Sequence, residues 1–241
     1  MIKTVYVFLA HPDDTDNYCP NFLKYLVDAG KNVHLYSFTR GEHGIGASTD
    51  PIKEEFRGSR LGKMRSIELK NAAKIIGIPG KHVHFLEIED SKVRILRKEA
   101  YCKIMAVLHQ RLPDLVLAPE FYLGYYKHPD HVYAGMITFI ALKHMNYKGK
   151  IMFYHTIKGK YYHPARKELS DAVIAEHKTQ KEFFKFLYPL YSKIEQIVNG
   201  FHVQGSLRAE RYRISSVAET QAPDIASRLL GLFFPKPRTK D

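Results

Sequence analysis

The chain has 241 residues, 45% of them hydrophobic, which is enough for one α/β domain with a complete hydrophobic core. Two cysteines give no disulfide framework, and no apolar run approaches the roughly 18 residues that a membrane-spanning helix needs, so the sequence argues against a disulfide-rich scaffold and an integral membrane protein. The net charge of +12, from 37 Lys and Arg against 25 Asp and Glu, is compatible with an anionic substrate, an anionic membrane or nucleic acid.

Strands and helices are predicted to alternate along most of the chain. In order, the hydrophobic periodicity predicts strand 3–9, helix 16–29, strand 33–38, helix 60–76, strand 82–86, helix 92–111, strand 114–118, helix 131–145, strand 150–155 and helix 170–187. Beyond residue 156 the alternation weakens, and we expect a further strand near 210–215 and a terminal helix with a basic tail at 222–241. This order is typical of a single-domain, Rossmann-like three-layer sandwich with a mostly parallel sheet, spanning residues 1–241.

A cluster of polar residues, His11-Pro12-Asp13-Asp14, follows directly on the apolar run of the first strand. In open α/β sheets the ligand crevice lies beyond the carboxyl ends of such buried strands. Consecutive side chains cannot aim at one point, so the two aspartates can divide the work. One would hold a cation, and the other would reach a water molecule bound to it.

A second His-Pro-Asp tripeptide, at residues 128–130, runs straight into His131. By composition, an independent copy is expected about 0.03 times by chance. Asp130 precedes a predicted helix and is expected to cap it, with His131 in the first turn and His128 just outside. Together the two clusters offer imidazoles and carboxylates, which are ligands that zinc favours. The alternative is that Asp13 and Asp14 only cap a helix, and the spacing does not show that the clusters meet.

These motifs, in this order, resemble the LmbE/PIG-L family of zinc-dependent de-N-acetylases. Further segments that resemble family motifs are Thr39-Arg40-Gly41-Glu42, Arg65-Ser66-Ile67-Glu68, Pro113-Asp114-Leu115-Val116, His177-Lys178-Thr179-Gln180 and Glu210-Arg211-Tyr212-Arg213. The resemblance therefore covers nearly the whole chain. One position departs from the family pattern, because Thr15 stands where a Glu usually follows the Asp pair, and Thr supplies no charge beside the metal.

The resemblance implies a role for each motif residue. His11, Asp14 and His131 would bind one Zn²⁺ ion per chain, with another divalent metal as the alternative. Asp13 would be the general base, and His128 would stabilise or protonate the reacting centre. Either Asp13 or His128 can return a proton to the leaving amine, and the sequence does not decide between them.

Three further residues are candidate substrate contacts. Arg65 matches the family's helix arginine and Asp90 resembles a family aspartate that faces the sugar, and we expect both to bind hydroxyl or phosphate groups. Tyr126 lies just before the second cluster and is expected to overhang the site. For Arg65 the alternative is a structural pairing with Glu68 or Glu54, which would give the same sequence pattern.

The implied function is removal of the N-acetyl group from an N-acetylglucosaminyl-type substrate. Alternatives are an amidase of another sugar or thiol-sugar conjugate, and a non-catalytic basic binding protein on the same fold. The expected partner is a small amino-sugar conjugate, with a homo-oligomer left open. Nucleic acid is not expected because no binding signature accompanies the charge. We expect a cytoplasmic location, since no signal peptide precedes the first strand.

The terminal segment combines an apolar helical stripe with a basic tail. Apolar residues recur at helical spacing from Ile225 to Phe233, Pro235 ends the pattern, and Lys236, Arg238 and Lys240 follow. Such a segment can bind weakly to an anionic membrane, and we expect this contact through residues 225–240. The alternative is that the helix packs on the protein's own core or on another subunit.

Overall fold

The sheet is seven-stranded in the computed structural model, which describes residues 1–44, 57–122, 128–180 and 196–219. Its strands are Thr4–Leu9 (β1), Asn32–Ser37 (β2), Val83–Phe85 (β3), Leu115–Pro119 (β4), Lys150–Tyr154 (β5), Tyr161–Pro164 (β6) and Ala209–Ser215 (β7). Their order across the sheet is β3-β2-β1-β4-β5-β7-β6. Strands β1 to β5 pair in parallel, whereas β7 is antiparallel to both β5 and β6.

Helices cover both faces of this sheet. The helices with described bounds are Asp14–Tyr18 (α1), Pro20–Asp28 (α2), Ser59–Ile76 (α3), Arg97–Gln110 (α4), Pro129–His144 (α5) and Lys167–Ala175 (α6), with short 3-10 helices at Gly80–His82 and Lys178–Gln180. Residues 196–200 are also helical. In the described part of the chain, no helix has both the length and the apolar composition to span a membrane.

Alternate side chains of β1 enter two separate hydrophobic clusters. Tyr6 and Phe8 pack in the cluster that includes residues of α4 and α5. Val5, Val7 and Leu9 pack in the cluster that includes residues of α2 and α3. A strand buried on both faces reads as a continuous apolar run, as this one does. The structure thus confirms the predicted three-layer sandwich with a mostly parallel sheet.

Two predicted helices differ from the structure, and one strand was not predicted. The predicted helix 16–29 is two helices, because Pro20 has no backbone N–H and begins α2 at its first position. The predicted helix 92–111 begins only at Arg97, after a loop in which Ser91 has a positive φ of 65°. Strand β6 was not predicted, because its four residues are all partly or fully exposed and carry no hydrophobic alternation.

The remaining differences lie late in the chain. Helix α6 runs over Lys167–Ala175, three residues earlier than the predicted start at 170. Residues 181–187 of that prediction, and the predicted terminal helix and tail at 222–241, lie outside the described residues. The strand predicted near 210–215 is confirmed as β7.

The direction in which successive strands are added to the sheet reverses between β1 and β4, and the crevice at this point contains both polar clusters. Strand β1 lies between β2 and β4, so the connections after β1 and after β4 leave towards opposite faces of the sheet. A crevice opens at the carboxyl ends of the strands where this happens. The first polar cluster follows β1, and the second begins α5, which follows β4.

Three histidines stack at the β3 edge of the sheet, away from this crevice. His34 lies on β2 with its ring centroid 4.1 Å from that of His82, and its Nδ1 atom is 3.3 Å from Nε2 of His84. Burial and the neighbouring His82, His84 and Arg111 lower the pKa of His34 to about 4. Burial and His82 also lower the pKa of His84. The folded chain therefore favours neutral imidazoles at His34 and His84.

The cluster predicts a loss of stability in mild acid. An unfolded histidine titrates near pH 6.5, so between there and about pH 4 the unfolded chain binds a proton that folded His34 excludes. The free energy of unfolding should fall as the pH drops through this window. Replacing His34 by Phe keeps a ring in the stack and should flatten the fall, as measured by urea unfolding at a series of pH values. His109→Phe, at an exposed histidine, is the control. Equal slopes for the natural chain and the His34 variant would contradict this prediction.

Candidate active site

Asp14 fixes the chain where it leaves β1. Its Oδ2 atom accepts the backbone N–H groups of Ala10, at 2.8 Å, and His11, at 3.1 Å. The carboxylate is 2% exposed, and burial by itself would raise its pKa. His131 and His11 outweigh this effect and lower the pKa of Asp14 well below its usual value. Asp14 therefore lies charged at the base of the crevice, with Oδ1 directed towards two imidazoles.

Three donor atoms from the two sequence clusters converge at this point. Nδ1 of His11 lies 3.1 Å from Nε2 of His131 and 3.8 Å from Oδ1 of Asp14. Nε2 of His131 lies 3.2 Å from the same Oδ1. A tetrahedral zinc ion with bonds of about 2.0 Å holds its ligand atoms about 3.3 Å apart. The two nitrogens and one oxygen therefore fit a zinc-like cation in both spacing and chemistry, although metal binding itself stays a prediction.

The other ring nitrogen of His11 faces two further carboxylates. Its Nε2 atom lies 3.2 Å from Oδ1 of Asp90 and 3.4 Å from Oδ2 of Asp130. Burial by itself would lower the pKa of His11, but hydrogen bonds to Asp130, Asp14 and Asp90 outweigh it and raise that pKa. Asp90 and Asp130 are themselves almost fully buried.

The predicted cap of the second cluster was wrong. Helix α5 begins at Pro129, and its N-cap is His128, whose Nδ1 accepts the backbone N–H of Asp130 at 3.3 Å. Asp130 instead points into the protein and accepts the backbone N–H of Ser91 and of Val93. The cap places the half-buried His128 beside the metal-ligand candidates, with its ring centroid 5.1 Å from that of His11. Burial and the nearby His11 and His131 lower its pKa.

Asp13 forms a buried ion pair with Arg65. Nη2 of Arg65 donates to Oδ1 of Asp13 at 2.6 Å, and Nη1 donates to the carbonyl of Gly41 at 2.9 Å. A side chain on Gly44 would meet Nη1 of Arg65, because an added Cβ would lie 2.1 Å from it. The loop from Gly41 to Gly44 therefore encloses the guanidinium, and the absence of a Cβ at both glycines leaves room for it. Glu68, one of the two partners weighed from sequence, does not form this pair, and the other, Glu54, lies outside the described residues.

Glu68 joins the helix motif to the late His177-Lys-Thr-Gln motif. Its carboxylate accepts the backbone N–H and the hydroxyl of Thr179, at 2.9 and 2.6 Å. Gln180 then donates to the carbonyl of Gly44 at 2.8 Å. These contacts hold the loop that encloses Arg65.

The Glu-x-Tyr-Arg motif, on β7, supports the start of α2. The Glu210 carboxylate accepts the backbone N–H groups of Asn21 and Phe22, at 2.8 and 2.9 Å, in the first turn of α2. Burial raises the pKa of Glu210 to about 7, against the hydrogen bonds from Asn21, Phe22 and Tyr212. Arg213 forms a second buried pair, with Glu120 after β4.

One neighbour of the site was not found from the sequence. His155 follows β5, is 3% exposed and has a positive φ of 63°. Its ring stacks on Tyr18 at 4.3 Å and lies edge-on to His131 at 5.8 Å. Burial, and then His131, lower its pKa to about 3, which favours the neutral ring. The one signal in the sequence was its position at the carboxyl end of a predicted strand, which does not reveal that its ring contacts Tyr18 and His131.

The structure therefore brings together all but one of the predicted site residues. His11, Asp13, Asp14, Arg65, Asp90, His128 and His131 form one cluster. Tyr126 lies outside the described residues. The roles assigned to all eight stay predictions.

Comparison with known sequences gives a consistent set of relatives. The profile of PIG-L, described as GlcNAc-PI de-N-acetylase, matches residues 6–142. Diacetylchitobiose deacetylase of Thermococcus kodakarensis is 30% identical over 177 residues, which cover 67% of this chain and 63% of that enzyme. A 1D-myo-inositol 2-acetamido-2-deoxy-alpha-D-glucopyranoside deacetylase of Corynebacterium kroppenstedtii is 28% identical over 159 residues, covering 55% of this chain and 39% of that protein. The matches thus span less than two thirds of each relative.

Solved structures share the fold. N,N'-diacetylchitobiose deacetylase of Pyrococcus horikoshii superposes with a TM-score of 0.79 at 23% identity, covering 93% of this chain and 89% of that chain. The hydratase GalB of Pseudomonas putida has a TM-score of 0.69 at 18% identity, covering 92% of this chain and 100% of that chain. These identities show the fold alone, and the hydratase illustrates that this fold carries more than one chemistry.

The Arg65 enclosure predicts an effect of adding one methyl group. Gly44→Ala places a Cβ against a guanidinium that Asp13 and the Gly41 carbonyl hold, so the side chain or the loop has to move. We expect the free energy of unfolding to fall by about 1–3 kcal/mol in urea titrations. Gly80→Ala is the control, because nothing lies within 4 Å of its added Cβ. Similar stability of both variants would show that the enclosure is loose.

Proposed function

The chain belongs to the PIG-L family of GlcNAc-PI de-N-acetylases, and on that basis we propose that it is a metal-dependent hydrolase that removes the N-acetyl group from an N-acetylglucosaminyl-type substrate. The matched relatives are named as deacetylases of diacetylchitobiose and of an inositol-linked acetamido sugar. Both names describe an acetamido group on a sugar, which is the substrate class proposed here.

One observation carries this proposal, namely the convergence of His11, Asp14 and His131. Two imidazole nitrogens and one carboxylate oxygen lie within 3.1 to 3.8 Å of one another, at the carboxyl ends of β1 and β4. Three protein ligands with a position left for water or substrate is the arrangement of catalytic zinc sites. We assign these residues to one Zn²⁺ per chain. Bound there, the cation would act as a Lewis acid and lower the pKa of water.

We assign Asp13 as the general base. Arg65 holds its Oδ1 atom at 2.6 Å in a buried environment, which fixes the carboxylate next to Asp14. Proton transfer from the attacking water would then fall to Oδ2. A carboxylate fixed in this way needs little reorganisation when the acetyl carbonyl is attacked.

We assign His128 to stabilisation of the reacting carbonyl. Its Nδ1 accepts a backbone N–H, so the proton of the neutral ring lies on Nε2. That N–H can donate to the oxygen that becomes negative during attack. Asp13, having taken a proton from water, would then return it to the leaving amine. We therefore propose Asp13, rather than His128, as the group that protonates the leaving amine.

Two of the three proposed substrate contacts already have hydrogen-bond partners within the protein. Both terminal nitrogens of Arg65 already donate within the protein, and both carboxylate oxygens of Asp90 accept backbone N–H groups. A sugar hydroxyl would have to share these partners. Binding by Arg65, Asp90 and Tyr126 stays a prediction.

We also propose four properties of the whole protein. Residues 1–241 would form a single deacetylase domain located in the cytoplasm. Contact with an anionic membrane would be made through residues 225–240, which lie outside the described residues. Association into a homo-oligomer stays a prediction.

An acetate-release screen tests the proposed function. The zinc-loaded chain should release acetate from at least one N-acetylglucosaminyl compound among N-acetylglucosamine, diacetylchitobiose, and inositol, lipid and malate conjugates. Release from a different amide only would favour the alternative amidase. A chain that binds no metal and releases no acetate would favour a binding protein.

Two substitutions should separate metal binding from proton transfer. His131→Ala removes a ligand and should lose bound zinc and turnover together. Asp13→Asn keeps the shape of the side chain but removes the base, so zinc should be retained while turnover falls by ~10²-fold or more. Zinc is measured by elemental analysis and turnover by acetate release, with the exposed Asp28→Asn as the control. Near-normal activity of Asp13→Asn would show that Asp13 is not the base.

A further inference from the structure

Two buried carboxylates, those of Asp90 and Asp130, lie against the ring of His11. We propose that Asp90, Asp130 and the backbone N–H of Ser91 act as a carboxylate clamp that presents Nδ1 of His11 to the metal and strengthens its binding. These are positioning residues. The inference rests on the proposed metal site, and it assigns Asp90 a role other than the sugar contact expected from sequence.

The clamp is built around two shared oxygen atoms. Ser91 donates its backbone N–H to Oδ1 of Asp90 and to Oδ2 of Asp130, at 2.8 Å each. The same two oxygens are the ones that face Nε2 of His11, at 3.2 and 3.4 Å. Two buried carboxylates repel each other, and hydrogen-bond donors between them offset this repulsion. Here the Ser91 N–H and the His11 ring supply those donors.

The outer oxygens of both carboxylates are also held by backbone. Oδ2 of Asp90 accepts the N–H of His43 at 2.9 Å, and Oδ1 of Asp130 accepts the N–H of Val93 at 3.2 Å. The donors come from the loops after β2 and β3, while Asp130 itself is on α5. Neither carboxylate can therefore turn away from His11 without breaking backbone hydrogen bonds.

Ser91 contributes through its backbone conformation. Its φ of 65° lies in the left-handed region, which L-residues other than Gly rarely adopt. In this conformation the N–H points between the two carboxylates. The Ser91 residue is exposed at the surface, so the clamp does not need a buried hydroxyl.

The clamp determines which ring nitrogen of His11 carries the proton and which is left to bind a metal. A neutral imidazole carries one proton, and the two carboxylates place it on Nε2. The lone pair is then on Nδ1, the atom that faces Asp14 and His131. Carboxylates behind a histidine orient the ring and make it a stronger ligand, and losing such a partner typically weakens metal binding by about 10–100-fold.

The test measures zinc affinity of the full chain by competition with a chelator. Asp130→Asn and Asp90→Asn preserve side-chain shape but remove a charge, and each should weaken zinc binding by about 10–100-fold. Asp114→Asn is the control, because Oδ2 of Asp114 accepts the backbone N–H groups of Lys3 and Thr4 at 2.8 Å, before the start of β4. Its zinc affinity should equal that of the natural chain.

Ser91→Gly tests whether Ser91 acts through its backbone N–H or through its hydroxyl. Gly keeps the N–H and adopts a positive φ without strain, so zinc affinity should stay within about twofold of the natural value. A large loss in this variant would assign the effect to the hydroxyl and would overturn the proposed clamp.

Magnetic resonance identifies the bound nitrogen directly. In the ¹⁵N-histidine-labelled chain loaded with ¹¹³Cd, the metal coupling of His11 should appear on Nδ1, with a proton on Nε2. Coupling on Nε2 would overturn the proposal, as would Asp90 and Asp130 variants that bind zinc as the Asp114 control does. A chain that releases no acetate but loses zinc affinity on Asp130→Asn would refute the proposed function and leave the clamp standing.

Discussion

Two hydrogen bonds from the end of β1 to one carboxylate determine the arrangement of the site. The Asp14 Oδ2 atom accepts the N–H groups of Ala10 and His11, which folds the chain back on the strand as soon as it ends. His11 is thereby turned across the crevice towards α5, where it meets His131. Asp13 is turned towards Arg65 on α3. Because adjacent residues leave this turn in different directions, one short segment supplies two of the three proposed metal ligands and the proposed base.

The buried carboxylates around this turn differ in how fully a positive charge compensates them. Asp13 lies against the guanidinium of Arg65, so its charge is compensated within the protein. Asp14, Asp90 and Asp130 face imidazoles instead, which compensate a carboxylate fully only when protonated. Burying such charges is costly without a compensating positive charge. The proposed cation would supply that charge and would also release His11 from the need to carry a second proton.

Much of the fold and site could be predicted because the signals are local. The apolar run of β1 and the polar cluster after it identify a strand and its functional end without further information. The cap of α5 was misassigned because Asp130 is the better capping residue by composition, whereas its buried contacts with Ser91 and Val93 come from a distant loop. His155 and the Asp13–Arg65 pair were missed for the same reason. Their partners are set by packing of separate elements, and a single sequence does not encode that packing as a pattern.

The position of Glu210 has a consequence for how the protein is made. Its carboxylate receives the first N–H groups of α2, yet it lies on β7, close to 190 residues further along the chain. During synthesis, the first N–H groups of α2 therefore lack this acceptor until β7 has left the ribosome. The polypeptide that contains His11, Asp14 and His131 is complete well before that moment. Nascent chains of intermediate length thus carry every proposed ligand residue but lack the carboxylate that accepts the first N–H groups of α2, the helix after the first cluster.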